Sequence, residues 1–355
     1  MRSRLFAEKI IHWYYENKRD LPWRNTKDPY RIWLSEIILQ QTRVVQGLPY
    51  YQAFTTKFPL ISDLAQADEQ EVLRTWQGLG YYSRARNLHK CAKIICNEYD
   101  GRFPDNYKEL LALPGIGPYT AAAIASFAFR EPKAVVDGNV YRVLSRFFGI
   151  EDDIASTPAQ KKFSELAQTL ISPTQPDIYN QGIMEFGAIQ CKPKSPNCNE
   201  CTLNDECVAR NESTQDKLPI KSKKVKIRER YFYYFNLVVD DRLLMRKREG
   251  KGIWEGLYDF NVLESTKSID VEEAIEKNSF ISSLKADLSH VDVSQEYLHI
   301  LSHQRINAIF ITAYLNKEPG VTDPLPKNHA FYTLTEVNEL PKPVLISHYL
   351  NDTFF

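Results

Sequence analysis

The chain changes its hydrophobic rhythm once. From residue 1 to about 210, apolar side chains recur three or four positions apart, as in Leu5, Phe6, Ile10, Ile11, Trp13 and Tyr14, which predicts a nearly all-helical region. Turn signals at Lys27-Asp28-Pro29, Gly78-Leu79-Gly80, Leu113-Pro114-Gly115 and Ser172-Pro173 separate the helices. From Tyr231 the pattern shortens into β-type runs. Tyr231 to Val239, then Asp240-Asp241, then Arg242 to Met245 predicts a hairpin across the acidic pair, with further strands at 307–315 and 329–334. Helical patterns at about 271–285, 334–339 and 343–350 make this second half α+β.

With 355 residues, 43% of them hydrophobic and 25% charged, the chain fits two globular domains and excludes a disordered or fibrous class. Its 45 basic residues balance 45 acidic ones, so bulk charge names no partner. Local charge still matters, because a polyanion is bound wherever Lys and Arg meet phosphate. The stretch from Lys217 to Arg230 holds seven basic residues and one acid, and reads equally as a solvated tether or a phosphate-contacting segment. No apolar run is long enough to span a membrane, so a cytoplasmic protein is expected.

Four places carry candidate chemistry. Cys191-x6-Cys198-x2-Cys201-x5-Cys207 places four thiols within seventeen residues, interrupted by Pro193 and Pro196, a spacing that suits zinc or an iron–sulfur cluster. Leu113-Pro-Gly-Ile-Gly-Pro-Tyr-Thr reads as a tight turn at Gly115 and Gly117 before a helix opened by Pro118, whose free amides suit a phosphate. In the helix capped by Asp28, Glu36 falls in an apolar stripe beside Ile32, Trp33 and Ile37. Such a carboxyl is either salt-bridged, the likelier role from position alone, or raised in pKa and able to act as a general acid. Asp137, in Val136-Asp-Gly-Asn-Val, reads as the N-cap of the next helix.

Together these residues resemble the helix-hairpin-helix DNA glycosylases, and within them the MutY type. The match is carried by Leu21-Pro-Trp-Arg, Trp33-Leu-Ser-Glu-Ile-Ile-Leu-Gln-Gln-Thr, Gly78-Leu-Gly-Tyr-Tyr-Ser-Arg-Ala-Arg and Val136-Asp-Gly-Asn-Val. The resemblance implies a DNA-bound enzyme that flips adenine from its mispair with 8-oxoguanine or guanine and hydrolyses its N-glycosidic bond. Glu36 would be the general acid at adenine N7 and Asp137 the stabiliser of the positive sugar, with Tyr119 and Asn139 assisting. Arg24 and Trp23 would lie near the flipped base, Gln41, Leu79 and Tyr81 would wedge the duplex, and Thr42, Gly115 and Gly117 would contact DNA. The four cysteines would hold a 4Fe-4S cluster. The related endonuclease III type carries a hairpin lysine where this chain has Tyr119, so strand cutting through a Schiff base is not expected.

The C-terminal half resembles the Nudix-like reader domain of the same type, with Gly252-Ile-Trp-Glu-Gly-Leu-Tyr-Asp-Phe in early strands and Leu301-Ser-His-Gln in a loop. Ser302 and His303 would contact 8-oxoguanine, although Leu301 stands where the type carries Phe. The Arg-Glu and double-Glu box of a Nudix hydrolase is reduced to Val271-Glu-Glu, so a reader without hydrolase activity is expected. The expected organisation is a glycosylase domain at 1–212 with its cluster loop at 191–207, a basic linker at 213–229 and the Nudix-like domain at 230–355. The expected state is a monomer in a bacterial cytoplasm, associated with the nucleoid.

Overall fold

The computed structural model describes residues 2–222, 227–250, 252–284, 288–318 and 325–355. Lys223, Lys224 and Lys226 of the basic stretch lie outside the described residues. The contacts divide the chain into two compact units, residues 1–66 with 87–223, and residues 67–86 with 224–355.

The first unit is helical. Its helices include Arg2–Asn17, Pro29–Ile38, Val44–Lys57, Tyr107–Ala112, Pro118–Phe129, Gly138–Phe148, Thr157–Leu170 and Pro176–Glu185. Their starts follow local chemistry: Asp28 accepts a hydrogen bond from the Tyr30 amide, Asp137 from the Asn139 and Val140 amides, and Ser156 from Ala159. Helix Pro118–Phe129 is buried from Thr120 to Phe127, its run of alanines allowing close approach to helices Pro29–Ile38, Tyr107–Ala112 and Pro176–Glu185. Helix Pro29–Ile38 is equally enclosed, with Trp33 and Leu34 at most 1% exposed. Glu36 sits within residues 32–38 of this helix, every one of which is buried. Helix Pro176–Glu185 runs on into a π turn, Phe186–Gln190, which delivers the chain to Cys191. Residues 218–222 are not a free tether: Leu218 O accepts from Arg146, Ile220 O from the Ile154 amide, and Ser222 donates to Asp153.

The second unit is a mixed eight-stranded sheet, β1 Arg228–Val239, β2 Arg242–Lys247, β3 Tyr258–Asp259, β4 Asn261–Ser265, β5 Leu288–Val293, β6 Tyr297–Ile300, β7 Gln304–Leu315 and β8 His329–Thr333. β1 and β7 pair in parallel along eleven residues of register, and the other pairings are antiparallel. The hairpin turns at Asp240-Asp241 as expected, with Asp240 left-handed at φ 52°. β1 reads as one apolar run because both its faces are covered. Tyr233, Phe235, Leu237 and Val239 pack with Ala274 and Ile281 from helices Val271–Lys277 and Ser279–Ser283 and with Leu284, which ends the second. Tyr234, on the other face, stacks on Phe310, which stacks on Tyr349 of helix Val344–Thr353 at 3.9 Å.

Three expectations change. The helix expected at 271–285 breaks at Asn278, whose side chain caps the second helix at the Ile281 amide. Gly252–Gly256 forms a turn rather than strand, because Gly256 is left-handed at φ 84° and its amide bonds to Arg248 O, leaving only Tyr258–Asp259 as β3. The segment 67–86, helical like its neighbours in sequence, packs with the C-terminal chain. Gln70 donates to Tyr258, Gln77 accepts from the Lys342 amide, and Arg86 pairs with Glu255 at 2.9 Å.

Among the described residues no helix is long and apolar enough to cross a membrane. The buried anchor of the sheet is Asp259, 0% exposed, which accepts from Arg246 at 3.0 and 3.1 Å and from Arg248 at 2.6 Å. Replacing Asp259 with Ala leaves Arg246 without this carboxylate and Arg248 with Glu264 alone, and is expected to destabilise this unit by about 3–5 kcal/mol, read from its urea midpoint; an unchanged midpoint would refute the assigned role.

Candidate active site

Glu36, Asp137, Tyr119 and Asn139 line one cavity of the first unit, together with Trp23, Arg24 and Thr42. Glu36 comes from the buried helix Pro29–Ile38, Tyr119 from the first turn after the Gly115-Ile116-Gly117 hairpin, and Asp137 and Asn139 from the start of the helix Gly138–Phe148. The hairpin glycines differ in their demands. Gly115 is left-handed at φ 77°, and a Cβ there would lie 2.7 Å from Asn87 Cβ, whereas Gly117 faces open space.

Glu36 is 8% exposed, and its partner is the Tyr119 hydroxyl, which donates to Oε2 at 2.7 Å. Burial pushes its pKa up to about 7; the Tyr119 bond opposes that rise, the nearby Asp137 adds to it, and Arg24 offsets part of it. The salt-bridged alternative is thereby corrected: the carboxyl takes its hydrogen bond from a phenol, and burial leaves it partly protonated near neutrality. Asp137 does cap its helix, at 2.9 and 2.8 Å from the Asn139 and Val140 amides, and takes a third bond from Asn139 Nδ2 at 2.7 Å. Its capping does not remove it from the cavity. Burial raises its pKa, and those three bonds with the Arg142 charge oppose the rise.

Several lining residues had no local signal in the sequence. Glu185, 1% exposed, accepts from Arg19 at 2.7 and 2.6 Å and from Arg24 at 2.6 Å. Burial alone would raise its pKa, but these guanidinium bonds win and hold it at about 2. Gln181 accepts from Tyr14 at 2.9 Å, and Met184 sulfur lies 3.9 Å from the Tyr119 hydroxyl. Arg142 ties the Asp137 turn to the cysteine loop, donating to Asn139 Oδ1, Gly187 O and Cys191 O at 2.7–2.8 Å. A Cβ at Gly187 would stand 2.6 Å from Asn139 Cβ, so glycine is required for that approach.

Cys191, Cys198, Cys201 and Cys207 line one further cavity with Arg146, which donates to Cys191 Sγ at 3.3 Å and to the Lys192 and Pro193 carbonyls. Among the described residues no three His, Cys, Asp or Glu side chains already converge on a single cation position. Burial pushes the Cys201 thiol up to about 11 and raises Cys198 and Cys207 as well, so thiolates there call for a compensating cation. A sulfur-only donor set with a buried guanidinium beside it fits a soft metal centre.

The remaining candidates fall elsewhere. Gln41 is exposed and left-handed at φ 57°, directly after the Glu36 helix. Leu79 and Tyr81 share a cavity of the second unit with Ser302 and His303, and the Tyr81 hydroxyl bonds to Ser302 Oγ. Tyr81 is 41% exposed, while Leu79 is buried at 7%, so only Tyr81 already projects.

The two carboxyls in one cavity and the four-thiol loop stand on the same helical unit, and the Gly115–Gly117 hairpin leads into the helix that carries Tyr119. Residues 34–170 match the model of the HhH-GPD superfamily of base excision DNA repair proteins, and residues 233–352 match a NUDIX domain. An adenine DNA glycosylase of Buchnera aphidicola subsp. Schizaphis graminum is 34% identical over 343 residues, covering 96% of both chains. The Homo sapiens adenine DNA glycosylase is 42% identical over 222 residues, 60% of this chain and 41% of that one. A solved thermostable thymine-DNA glycosylase aligns with a TM-score of 0.54 and 33% identity, over 59% of this chain and 96% of that one. The chain belongs to the adenine DNA glycosylase family.

A raised pKa at Glu36 has a measurable consequence for stability. The folded state binds its proton up to about pH 7, against 4.5 for an ordinary glutamate, so stability falls as pH rises through that window. Glu36→Gln removes this cost. The variant is expected to match the parent near pH 4 and to exceed it by up to about 3 kcal/mol at pH 8, measured by denaturation at both values. Equal stability at pH 8 would contradict the buried, uncompensated carboxyl.

Proposed function

We propose that this enzyme hydrolyses the N-glycosidic bond of adenine mispaired with 8-oxoguanine or guanine in duplex DNA, leaving an apurinic site without cutting the strand. The observation that carries this reading is the Glu36 carboxyl, buried, held by Tyr119, poised near neutrality and sharing its cavity with Asp137. Protonated Glu36 donates to adenine N7, so the pair of electrons in the bond from the sugar to N9 leaves with a neutral base. The cation left on the sugar faces the Asp137 carboxylate, whose oxygens Asn139 and the helix-start amides keep in place, and water completes the hydrolysis. No amine occupies the position of Tyr119, which supports glycosylase chemistry without a Schiff base.

In this reading residues 1–212 extrude and release the base, 213–229 link, and 230–355 read the opposing lesion through Ser302 and His303. Cys191, Cys198, Cys201 and Cys207 would hold a 4Fe-4S cluster, which when bound supplies a rigid scaffold for the loop that exposes Lys192 and Lys194 to phosphate. A monomer acting on the DNA of a bacterial cytoplasm is the corresponding expectation.

Base release and strand scission, measured separately in single turnover on 8-oxoguanine:A, G:A, G:T and thymine glycol:A duplexes, test the substrate. Adenine release fastest opposite 8-oxoguanine, with scission only after alkali, is expected; release from G:T or direct cutting at thymine glycol would replace the reading. Glu36→Gln should slow adenine release by about 10²–10⁴-fold, and undiminished release would sink the assigned mechanism. In the parent, rate should fall as pH rises through about 7, where Glu36 loses its proton. Iron with acid-labile sulfide, both lost in Cys198→Ser, should be found on analysis; zinc without sulfide would exclude the cluster.

A further inference from the structure

The segment Gly78-Leu79-Gly80-Tyr81 is held in an uncommon backbone state. Gly78, Gly80 and Tyr81 all have positive φ, at 101°, 71° and 50°. A side chain as large as tyrosine adopts that region only where its surroundings enforce it. Glycine at 78 and 80 permits the loop without enforcing it, and no strand pairing passes through these residues.

The enforcing group is the second residue of the following helix, Ser83–Glu98. The Arg84 guanidinium sits over the Trp76 ring at 4.9 Å and over the Tyr81 ring at 5.6 Å, so the two aromatics on either side of the loop share one cation. Its Nη2 also approaches the Leu79 and Gly80 carbonyls at 3.4 Å. Trp76, itself fully buried, donates Nε1 to Gly80 O at 3.0 Å, and the Arg84 amide closes on Tyr81 O at 2.8 Å. Tyr81 in turn bonds through its hydroxyl to Ser302. To these backbone and Trp76 bonds the planar Arg84 cation adds contacts with both rings and with two loop carbonyls.

We propose that Arg84 is a positioning residue: stacked between Trp76 and Tyr81, it fixes the left-handed loop so that Tyr81 stands out from the surface, aligned with Ser302, before any duplex is bound. Its contribution is preorganisation, and it touches no reacting atom. Burial pushes its guanidinium down to about 10, so the charge remains at neutral pH. Lysine would keep that charge but lose the flat face that two rings require. The role of the loop in extruding a base rests on the proposed function; the hold of Arg84 on the loop does not.

Two measurements separate those layers. Hydrogen exchange on the free protein is expected to show the amides of residues 78–84 exchanging at least about tenfold faster in Arg84→Leu and Arg84→Lys, with the sheet and the Glu36 helix unchanged. Unchanged loop exchange in both variants would overturn the proposal, and faster exchange throughout the unit would reduce Arg84 to a general stabiliser. A duplex carrying 2-aminopurine opposite 8-oxoguanine then reports extrusion as a fluorescence rise. Slower extrusion in Arg84→Leu, incompletely rescued by Arg84→Lys and not additive with Tyr81→Ala, is expected. A rise as fast as in the parent, or strict additivity with Tyr81→Ala, would overturn the positioning role. If the parent gives no rise at all, the substrate reading fails, and the exchange data alone decide whether Arg84 holds the loop.

Discussion

A carboxyl inside a protein must be ionised and matched or kept protonated, and Glu36 is moved toward the second outcome, with its pKa pushed up to about 7. The helix Pro29–Ile38 is buried over residues 32–38, which leaves the carboxyl 8% exposed, and Tyr119 offers a phenol in place of a cation. Burial outweighs that single hydrogen bond and leaves the group near neutrality. Much of the first unit serves this placement. The alanine-rich helix Pro118–Phe129 packs closely enough to bring Tyr119 to Glu36, and the Gly115 turn, which admits no Cβ, sets where that helix begins.

The opposite solution appears a short way along the same cavity. Glu185 is as buried as Glu36, yet two arginines clasp it and hold it ionised. Two carboxyls of one type are therefore shifted in opposite directions, Glu36 up by burial that the Tyr119 bond only partly offsets and Glu185 down by guanidinium groups. Arg142 extends the ordered region, bridging Asn139 beside Asp137 to the carbonyls of Gly187 and Cys191. The thiol loop and the carboxyl pocket thus share a side chain, and a disturbance of one has a direct path to the other.

In the second unit the constraint is backbone pairing. β1 and β7 run parallel although 64 residues separate the end of one from the start of the other (240 to 303), and both faces of that pair are covered. The segment 67–86 joins this unit through side-chain bonds to Tyr258, Glu255 and Lys342, which brings the Tyr81 loop beside Ser302. Contiguity in sequence assigns the segment to the helical region, and packing assigns it elsewhere.

Element types, capping residues and the switch from period 3.6 to period 2 were legible because they are local: Asp28, Asp137 and Ser156 cap the helices that follow them, and Asp240-Asp241 turns the hairpin. The candidate carboxyls and the thiol set were legible too, since their residue types and spacings lie within short windows. What the sequence could not say is which partner each buried group meets. From position alone Glu36 looked better fitted for a salt bridge, the Gly252–Gly256 run looked extended, and Arg19, Glu185, Gln181, Arg142 and Arg84 carried no pattern at all. Most of those roles depend on residues far apart in the chain, up to 167 positions for Tyr14 and Gln181, and only tertiary packing brings such residues within hydrogen-bonding distance. The chain by itself determined which groups were available; the fold decided their surroundings, and the surroundings set their charge.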